Sequence, residues 1–342
     1  MSVRMSDVAL QAGVSVSTVS KVLSGNGASM QLNEVTIARV QRAAEQLRYV
    51  PNAVARDLRA KRSNRVGVLL SGYQDRGIPL EVRLTLEGGL LFGLTHALRE
   101  LGLPALTVYP ADPNAAPDPR DFLDGRVDGL IVQSDPRGLN LLETLQARGL
   151  PIVGVWTREV GATAGYVDVD HRGGARLATE HLIEGGHRRI AFLGPVGPLG
   201  QQENFRLRRE GFDAAITAAG LEPALTFAEP EALVAALHSA SAPSAVFVVN
   251  DRRTKPLLEC LQRAGMRVPD DLSVASFDNV IGSDWLAGGL TTVENPVQLV
   301  GETALKHLVA LIGGADPLEC RTVLPTKLVV RQSTAAISEG HS

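Results

Sequence analysis

From Arg65 onward, short apolar runs alternate with longer helical stretches, and few folds accommodate that alternation. The runs cover residues 66–70, 129–132 and 152–155, then 190–193, 245–249 and 272–277. Helical periodicity marks 84–101, 173–185 and 206–220 between them. Strands that are apolar on both sides need cover on both faces. A parallel sheet flanked by helices supplies that cover. The spacing widens over residues 156–190, so the pattern is that of two α/β lobes and not of one sheet.

Polar residues gather just beyond the carboxyl ends of these runs: Ser71 and Tyr73, Gln133 and Ser134, Trp156, Asn250 and Asp251, Asp278 and Asn279. Ligands of open α/β sheets bind at that edge, and a cleft between two lobes suits a small molecule. Asp and Asn exchange hydrogen bonds with hydroxyls, and a tryptophan face suits a sugar ring or a base. Any one of these residues is explained equally well by the polarity of loops. As a set they point to a small-molecule site.

The front of the chain has a different character. Val8, Ala9 and Ala12 form one apolar edge and Val19, Val22 and Leu23 a second, on two short helical segments joined at Gly13. Asp7 or Ser6 can cap the first helix and Ser15 the second. Crossed at a glycine turn, two such helices make a helix-turn-helix. Its second helix exposes Val16, Ser17, Ser20 and Lys21, a small-residue face with one cation that suits a DNA major groove. An ordinary helical hairpin explains this segment by itself; its neighbours argue against that. Asn33 is placed to cap a third helix, on which Ile37, Val40, Ala44 and Leu47 recur at helical spacing and close a small core. That helix is expected to end at Tyr49-Val50-Pro51, since the residue before a proline avoids the α region. Residues 52–62, capped by Asn52, carry four cations against one carboxylate. They form either a charged linker or a helix too short to persist alone.

Charge separates the two parts. Residues 1–63 hold 9 Lys and Arg against 4 Asp and Glu, a net of +5, whereas the remainder holds 25 against 33, a net of −8. A basic head attracts phosphates through counterion release, and an acidic body keeps that attraction local. Domain boundaries follow at 1–50, 51–63 and 64–342.

Other function classes find little support. A chain of 342 residues that is 44% hydrophobic can bury a large core. No apolar run approaches the roughly 18 residues of a membrane span, and the amino terminus lacks the apolar stretch of a signal peptide. Cytoplasmic residence is the expectation. Cys260 and Cys320 are too few and too isolated for a disulfide scaffold or a zinc site. The glycine-rich stretch 194–200 lacks the spacing of a dinucleotide fingerprint and the Gly-Lys-Ser/Thr of a P-loop. His181 and His187 have no metal-ligand spacing and are expected to be solvated or capping. No Gly-x-Ser-x-Gly elbow occurs. Neither a cofactor, a metal nor an enzymatic activity is therefore expected.

The motifs together resemble the lac-repressor/gal-repressor (LacI/GalR) family of bacterial transcription regulators. The likeness rests on Asp7-Val8-Ala9, Ala12-Gly13-Val14-Ser15 and Thr18-Val19-Ser20-Lys21-Val22-Leu23. It rests also on Tyr49-Val50-Pro51-Asn52-Ala53-Val54-Ala55-Arg56-Asp57-Leu58, which is similar to the family's hinge helix. It continues through Arg126-Val127-Asp128-Gly129, Gly186-His187-Arg188-Arg189, Asn250-Asp251 and Val268-Pro269-Asp270-Asp271. The resemblance implies a small all-α helix-turn-helix headpiece and a two-lobed α/β body of the periplasmic-binding-protein-like type. It implies a homodimer that binds a pseudo-palindromic double-stranded DNA operator and responds to a small effector, a sugar or related metabolite.

By position, the resemblance makes Val16, Ser17 and Lys21 base-reading residues, Leu58 a minor-groove wedge and Ala55 the small residue between paired hinges. It makes Arg208, Asn250 and Asp278 effector residues, with Trp156 at a cleft-lining strand end; Tyr73 joins this site from its own place beyond the first body strand. Four stretches depart from the family: a longer loop at 26–31, an unusual segment at 73–79, a proline-rich stretch at 112–120, and Lys255-Pro256 in a helix of the family's dimer surface. Two other classes remain open on the residues alone. A pure solute-binding protein would not need residues 1–63, and an α/β enzyme would need a catalytic constellation.

Overall fold

The computed structural model of the chain describes residues 3–23, 32–50, 62–70, 82, 84–110, 117–133, 139–280 and 288–337. The chain divides into two compact units, Met1–Ser63 and Asn64–Ser342.

The first unit contains α1 (Met5–Ala12), α2 (Val16–Leu23) and α3 (Glu34–Gln46). Gly13 takes a left-handed conformation at φ 63° and turns the chain between α1 and α2. Ser15 caps α2, its hydroxyl accepting the Thr18 amide at 3.1 Å. Asn33 caps α3 by accepting the Val35 amide at 2.9 Å. The expected cap of α1 needs correction. Arg4 occupies the cap position, and Asp7 acts from inside the first turn by accepting the Arg4 amide at 2.8 Å. The end of α3 also comes earlier than the proline predicts. Arg48 turns left-handed at φ 49°, and the Tyr49 amide reaches back to the Ala44 carbonyl at 2.8 Å, which closes the helix before Pro51 can act. Val8, Val19 and Val40 are fully buried at the centre of this unit, with Ala9, Ala12, Val22, Ala43 and Ala44 around them.

The body begins with β1 (Arg65–Leu70), α4 (Gly89–Glu100), β2 (Ala105–Pro110), β3 (Gly129–Gln133), α5 (Leu139–Ala147), β4 (Ile152–Val155) and β5 (Gly165–Val169). It continues with α6 (His171–Glu184), β6 (Ile190–Leu193), α7 (Glu203–Ala218), β7 (Thr226–Phe227), α8 (Pro230–Ala236), β8 (Ala245–Val248), α9 (Asp251–Arg263), β9 (Ser273–Asp278) and β10 (Thr291–Glu294). It ends with α10 (Val297–Ile312), β11 (Arg321–Leu324) and β12 (Lys327–Val329). Two six-stranded sheets result, in the orders β11-β5-β4-β3-β1-β2 and β12-β10-β9-β8-β6-β7. Every pairing is parallel except that of β12 with β10.

Each sheet is the centre of one lobe. In lobe I, α4 and α10 cover one face through Leu90, Leu94, Leu305 and Leu308, and α5 covers the other through Leu141, Leu142 and Leu145. In lobe II, α6 and α7 pack Ala178, Leu182, Phe212 and Ile216 on one face, and α8 and α9 pack Leu233, Leu257 and Leu261 on the other. The chain passes between the lobes three times, from β5 to α6, from β10 to α10 and from β11 to β12. At the α4–α10 crossing the backbones almost touch. A Cβ on Gly93 would lie 2.0 Å from the Gln298 carbonyl oxygen, and one on Gly301 would lie 2.4 Å from that of Leu90.

Three departures noted in the sequence, at 26–31, 73–79 and most of 112–120, lie wholly or largely outside the described residues. The fourth is visible. Pro256 is the sixth residue of α9, beyond its first turn, and the helix runs on to Arg263 without the bond that an amide at 256 would give the Arg252 carbonyl. The histidines also differ from expectation. His187 is 4% exposed, with one ring nitrogen against the Ser244 hydroxyl at 2.9 Å and the other against the Ala335 carbonyl at 3.0 Å. Burial lowers its pKa. His181 meets the Thr334 hydroxyl at 2.9 Å, so both rings tie the carboxyl-terminal segment to lobe II.

Candidate functional site

In the first unit, burial of Val19 and Val22 against α1 and α3 turns the opposite side of α2 outward. Val16 is 43% exposed, Ser17 and Lys21 are exposed and Ser20 is half-buried. Together these four residues line one shallow surface concavity. Lys21 supplies ammonium donors, Ser17 and Ser20 supply hydroxyls that donate or accept, and Val16 supplies a methyl surface. That combination matches the donor, acceptor and methyl pattern of base edges in a major groove. Asn52, Ala55 and Leu58 lie outside the described residues.

In the body, the carboxyl ends of β4, β5, β8 and β9 bring together a polar cluster. Trp156 directly follows β4 with a positive φ of 58°, its amide donating to the Val167 carbonyl at 2.9 Å. That turn leaves the ring half-buried against the lobe I core and its Nε1 buried without a hydrogen-bond acceptor. Asp278, the last residue of β9, is held at φ 113°. Asn250 caps α9, accepting the Arg253 amide at 3.2 Å. Tyr73 lies outside the described residues.

Arg208, on α7, is 3% exposed and already committed to the protein. It donates to the Asp278 carboxylate and the Val249 carbonyl at 2.8 and 2.7 Å and to His171 Nδ1 at 3.3 Å. Its guanidinium carbon stacks 3.7 Å from the Phe277 ring centroid. Arg208 and Asp278 thus come together as a buried ion pair, and removing either partner would strand a charge at a cost of about 3–5 kcal/mol.

Asp168, Arg158, His171 and Glu203, which sequence reasoning missed, complete the cluster together with Asp251, which it places beyond a strand end. Asp168, in β5, receives Arg158 Nε at 2.8 Å on one oxygen. Its other oxygen lies 3.2 Å from His171 Nε2, out of line for a hydrogen bond. The Arg158 amide donates to the Glu203 carboxylate at 3.1 Å, which joins lobe I to lobe II. Burial works against ionisation of Asp168, but His171 and Arg158 outweigh it and hold the carboxyl below its ordinary value. Burial, reinforced by the nearby Arg208 charge, lowers the His171 pKa and keeps the ring neutral. Asp251, at the start of α9, accepts the Thr292 hydroxyl at 2.8 Å and the Val280 amide at 3.0 Å. Burial first, then the charge of Asp278, pushes its carboxyl up to about 6. One signal in the sequence could have found Asp168: it interrupts the otherwise apolar Val167-Asp168-Val169 beside a strand end.

Among the described residues no group of three or more His, Cys, Asp or Glu is placed to hold a metal ion. No helix among them is long and apolar enough to cross a membrane.

Comparison with known proteins agrees with this geometry. Residues 4–52 match the family described as bacterial regulatory proteins, lacI family, and residues 179–334 match the periplasmic binding protein-like domain. The chain is 32% identical over 346 residues to the HTH-type transcriptional regulator CelR of Thermobifida fusca, covering 95% of this chain and 96% of that protein. It is similar to the lac repressor dimer bound to operator and the anti-inducer ONPF, with a TM-score of 0.76 at 25% identity, covering 98% of this chain and 100% of that one. The transcriptional regulator CelR–cellobiose complex superimposes with a TM-score of 0.64 at 29% identity, covering 97% and 99%.

Proposed function

The chain belongs to the lacI family of bacterial regulatory proteins, and from that membership we propose that it is a repressor whose hold on its operator is set by a small effector. The exposed α2 face of Val16, Ser17, Ser20 and Lys21 carries this reading, because it offers base-reading chemistry on a helix whose other side is fully used by the core. The chain acts in the cytoplasm as a homodimer. One headpiece reads too few base pairs to select a site, and two-fold protein symmetry asks for two half-sites. Asn52, Ala55 and Leu58 belong to a hinge that becomes helical on DNA, with Leu58 entering the minor groove and kinking a base step. That role rests on the sequence motif.

The effector is a sugar or related metabolite bound at the polar cluster of the body, where Trp156, Asn250, Arg208 and Asp278 meet carboxyl strand ends from both lobes. Tyr73 is assigned to the same site by its sequence position. Arg208 and Asp278 form a preassembled donor–acceptor pair, so a hydroxyl can bridge both without either charge being uncovered.

Selection of DNA from a random pool by the full-length protein, followed by footprinting, tests this function. The expected product is a pseudo-palindrome with both half-sites protected. Protection of a single asymmetric half-site would refute the dimeric operator-binding reading.

A further inference from the structure

Three crossovers carry the chain between the lobes, and segments of that kind serve as hinges that leave the lobe spacing free to change. Away from them, Arg158 and Glu203 make a direct contact between the lobes. Arg158 lies in the loop that follows β4 of lobe I, and Glu203 is the first residue of α7 in lobe II. The Arg158 amide donates to one oxygen of the Glu203 carboxylate at 3.1 Å, and its guanidinium Nε lies 3.9 Å from the other. The amide bond is the stronger hold. An amide donating to a carboxylate makes a charge-assisted hydrogen bond. A separation of 3.9 Å is beyond hydrogen-bonding reach, and the guanidinium is already engaged by Asp168 at 2.8 Å.

Both ends of this contact are anchored on their sheets. In lobe I, the Arg158 side chain grips Asp168 of β5, which is buried, and Arg321 of β11 donates to the Gly161 and Ala162 carbonyls of the same loop at 2.9 and 3.1 Å. In lobe II, α7 is fastened five residues further on, where Arg208 donates to Asp278 of β9 and to the Val249 carbonyl beyond β8. A line of alternating charge therefore runs from one sheet to the other, through Asp168, Arg158 and Glu203 and along α7 to Arg208 and Asp278. Gln202, at the cap position of α7, makes no side-chain capping bond, and a carboxylate at a helix start is favourable in itself. That benefit accounts for an acidic residue at 203 but not for its bond to an amide of the opposite lobe. We propose that Glu203 is an interlobe latch, which holds the lobes at this spacing without any ligand. An effector then adds to, or works against, an arrangement that the chain sets for itself. The regulatory consequence rests on the proposal that the body binds an effector; the latch does not.

Full-length wild type and the variants Glu203→Ala, Glu203→Gln and Glu203→Asp test the latch, compared without ligand by small-angle X-ray scattering and by affinity for the selected operator. Glu203→Ala removes both contacts. It should widen the mean lobe spacing and change operator affinity by about threefold or more, the range expected for a lost hydrogen bond to a charged group. Glu203→Gln keeps an oxygen for the Arg158 amide and loses the charge, so it should fall between Ala and wild type; being nearly isosteric, it keeps the test open if Ala weakens α7. Glu203→Asp keeps a carboxylate at the helix start but is one methylene too short for the Arg158 amide, so it should behave as Ala does. Wild-type scattering in Glu203→Ala and Glu203→Gln would overturn the latch. So would a Glu203→Asp variant that matches wild type while Ala does not, since Glu203 would then serve the helix start alone. Widened lobes with unchanged operator affinity would overturn the regulatory consequence. Failure of the wild type to select any operator would instead refute the regulator, and scattering would still decide on the latch.

Discussion

Replacing Asp251 by Asn should remove a pH-dependent destabilisation that the fold imposes on itself. Asp251 is 0% exposed, and burial followed by the charge of Asp278 pushes its carboxyl from 3.8 up to about 6, against the pull of Thr292, Ser276 and the Val280 amide. The folded chain therefore holds this proton more tightly than the unfolded chain does. Its contribution to stability is fully present below about pH 4 and is lost as the pH rises from about 4 to about 6. A shift of about two pH units corresponds to about 3 kcal/mol. Asn fits the same space, its amide oxygen accepting the Val280 amide and its NH2 donating to the Thr292 hydroxyl, and it does not titrate. The stability of Asp251→Asn relative to wild type should thus rise by about 3 kcal/mol between pH 4 and pH 7. The difference is diagnostic where the wild-type profile alone is not, because the depressed carboxyls of Asp168, Glu210 and Asp271 act in the opposite direction. Urea unfolding at several pH values, followed by tryptophan emission, gives the measurement. Both tryptophans, Trp156 and Trp285, belong to the body, so the signal reports that unit. A difference that stays flat from pH 4 to pH 7 would refute the reasoning.

Lys21→Ala should cost about 1–3 kcal/mol on the selected operator and relax preference at one position per half-site; equal weakening on every single-base variant would make Lys21 a phosphate contact instead. Gly93→Ala should destabilise the body by about 1–3 kcal/mol, because the new methyl meets the Gln298 carbonyl and forces α4 away from α10. Unchanged urea unfolding would contradict that close approach. Pro256→Ala should stabilise the body by about 1–3 kcal/mol by restoring an amide that can donate to the Arg252 carbonyl; a lower urea midpoint would show that the proline ring is needed where it is.

What could be read from the sequence was set by how local the determining interaction is. The apolar runs at β1, β3, β4, β6, β8 and β9 announced themselves because strands covered on both faces need nothing else to be recognised. The strands β2, β5, β7, β10, β11 and β12 did not. At β5 a buried carboxylate interrupts the apolar pattern, β7 spans only two residues, and β2 is an edge strand ending in Pro110. Strands β11 and β12 are short and begin with Arg321 and Lys327, so each reads as loop in isolation. The caps at Ser15 and Asn33 were legible because each bonds an amide two or three residues away.

The polar cluster shows the opposite limit. Arg208 and Asp278 are 70 residues apart, so the chain alone could offer their donors and acceptors but not the fact that each satisfies the other. Separation also hid the role of Arg158, whose amide and guanidinium connect Glu203, 45 residues later, to Asp168. This arrangement bears on how an effector would act. A ligand shifts a conformational equilibrium only as far as it binds one arrangement better than the other. Asp168 belongs to lobe I, whereas Arg208, Asp278 and Glu203 belong to lobe II. A ligand that touches residues of both lobes therefore gains both sets of contacts in only one spacing of the lobes. With the lobes further apart it keeps one set and loses the other. Under the proposed function, that unequal binding is the source of effector control. It predicts that residues on either side of the cluster change effector affinity together with operator response, while changes confined to the α2 face alter operator affinity alone.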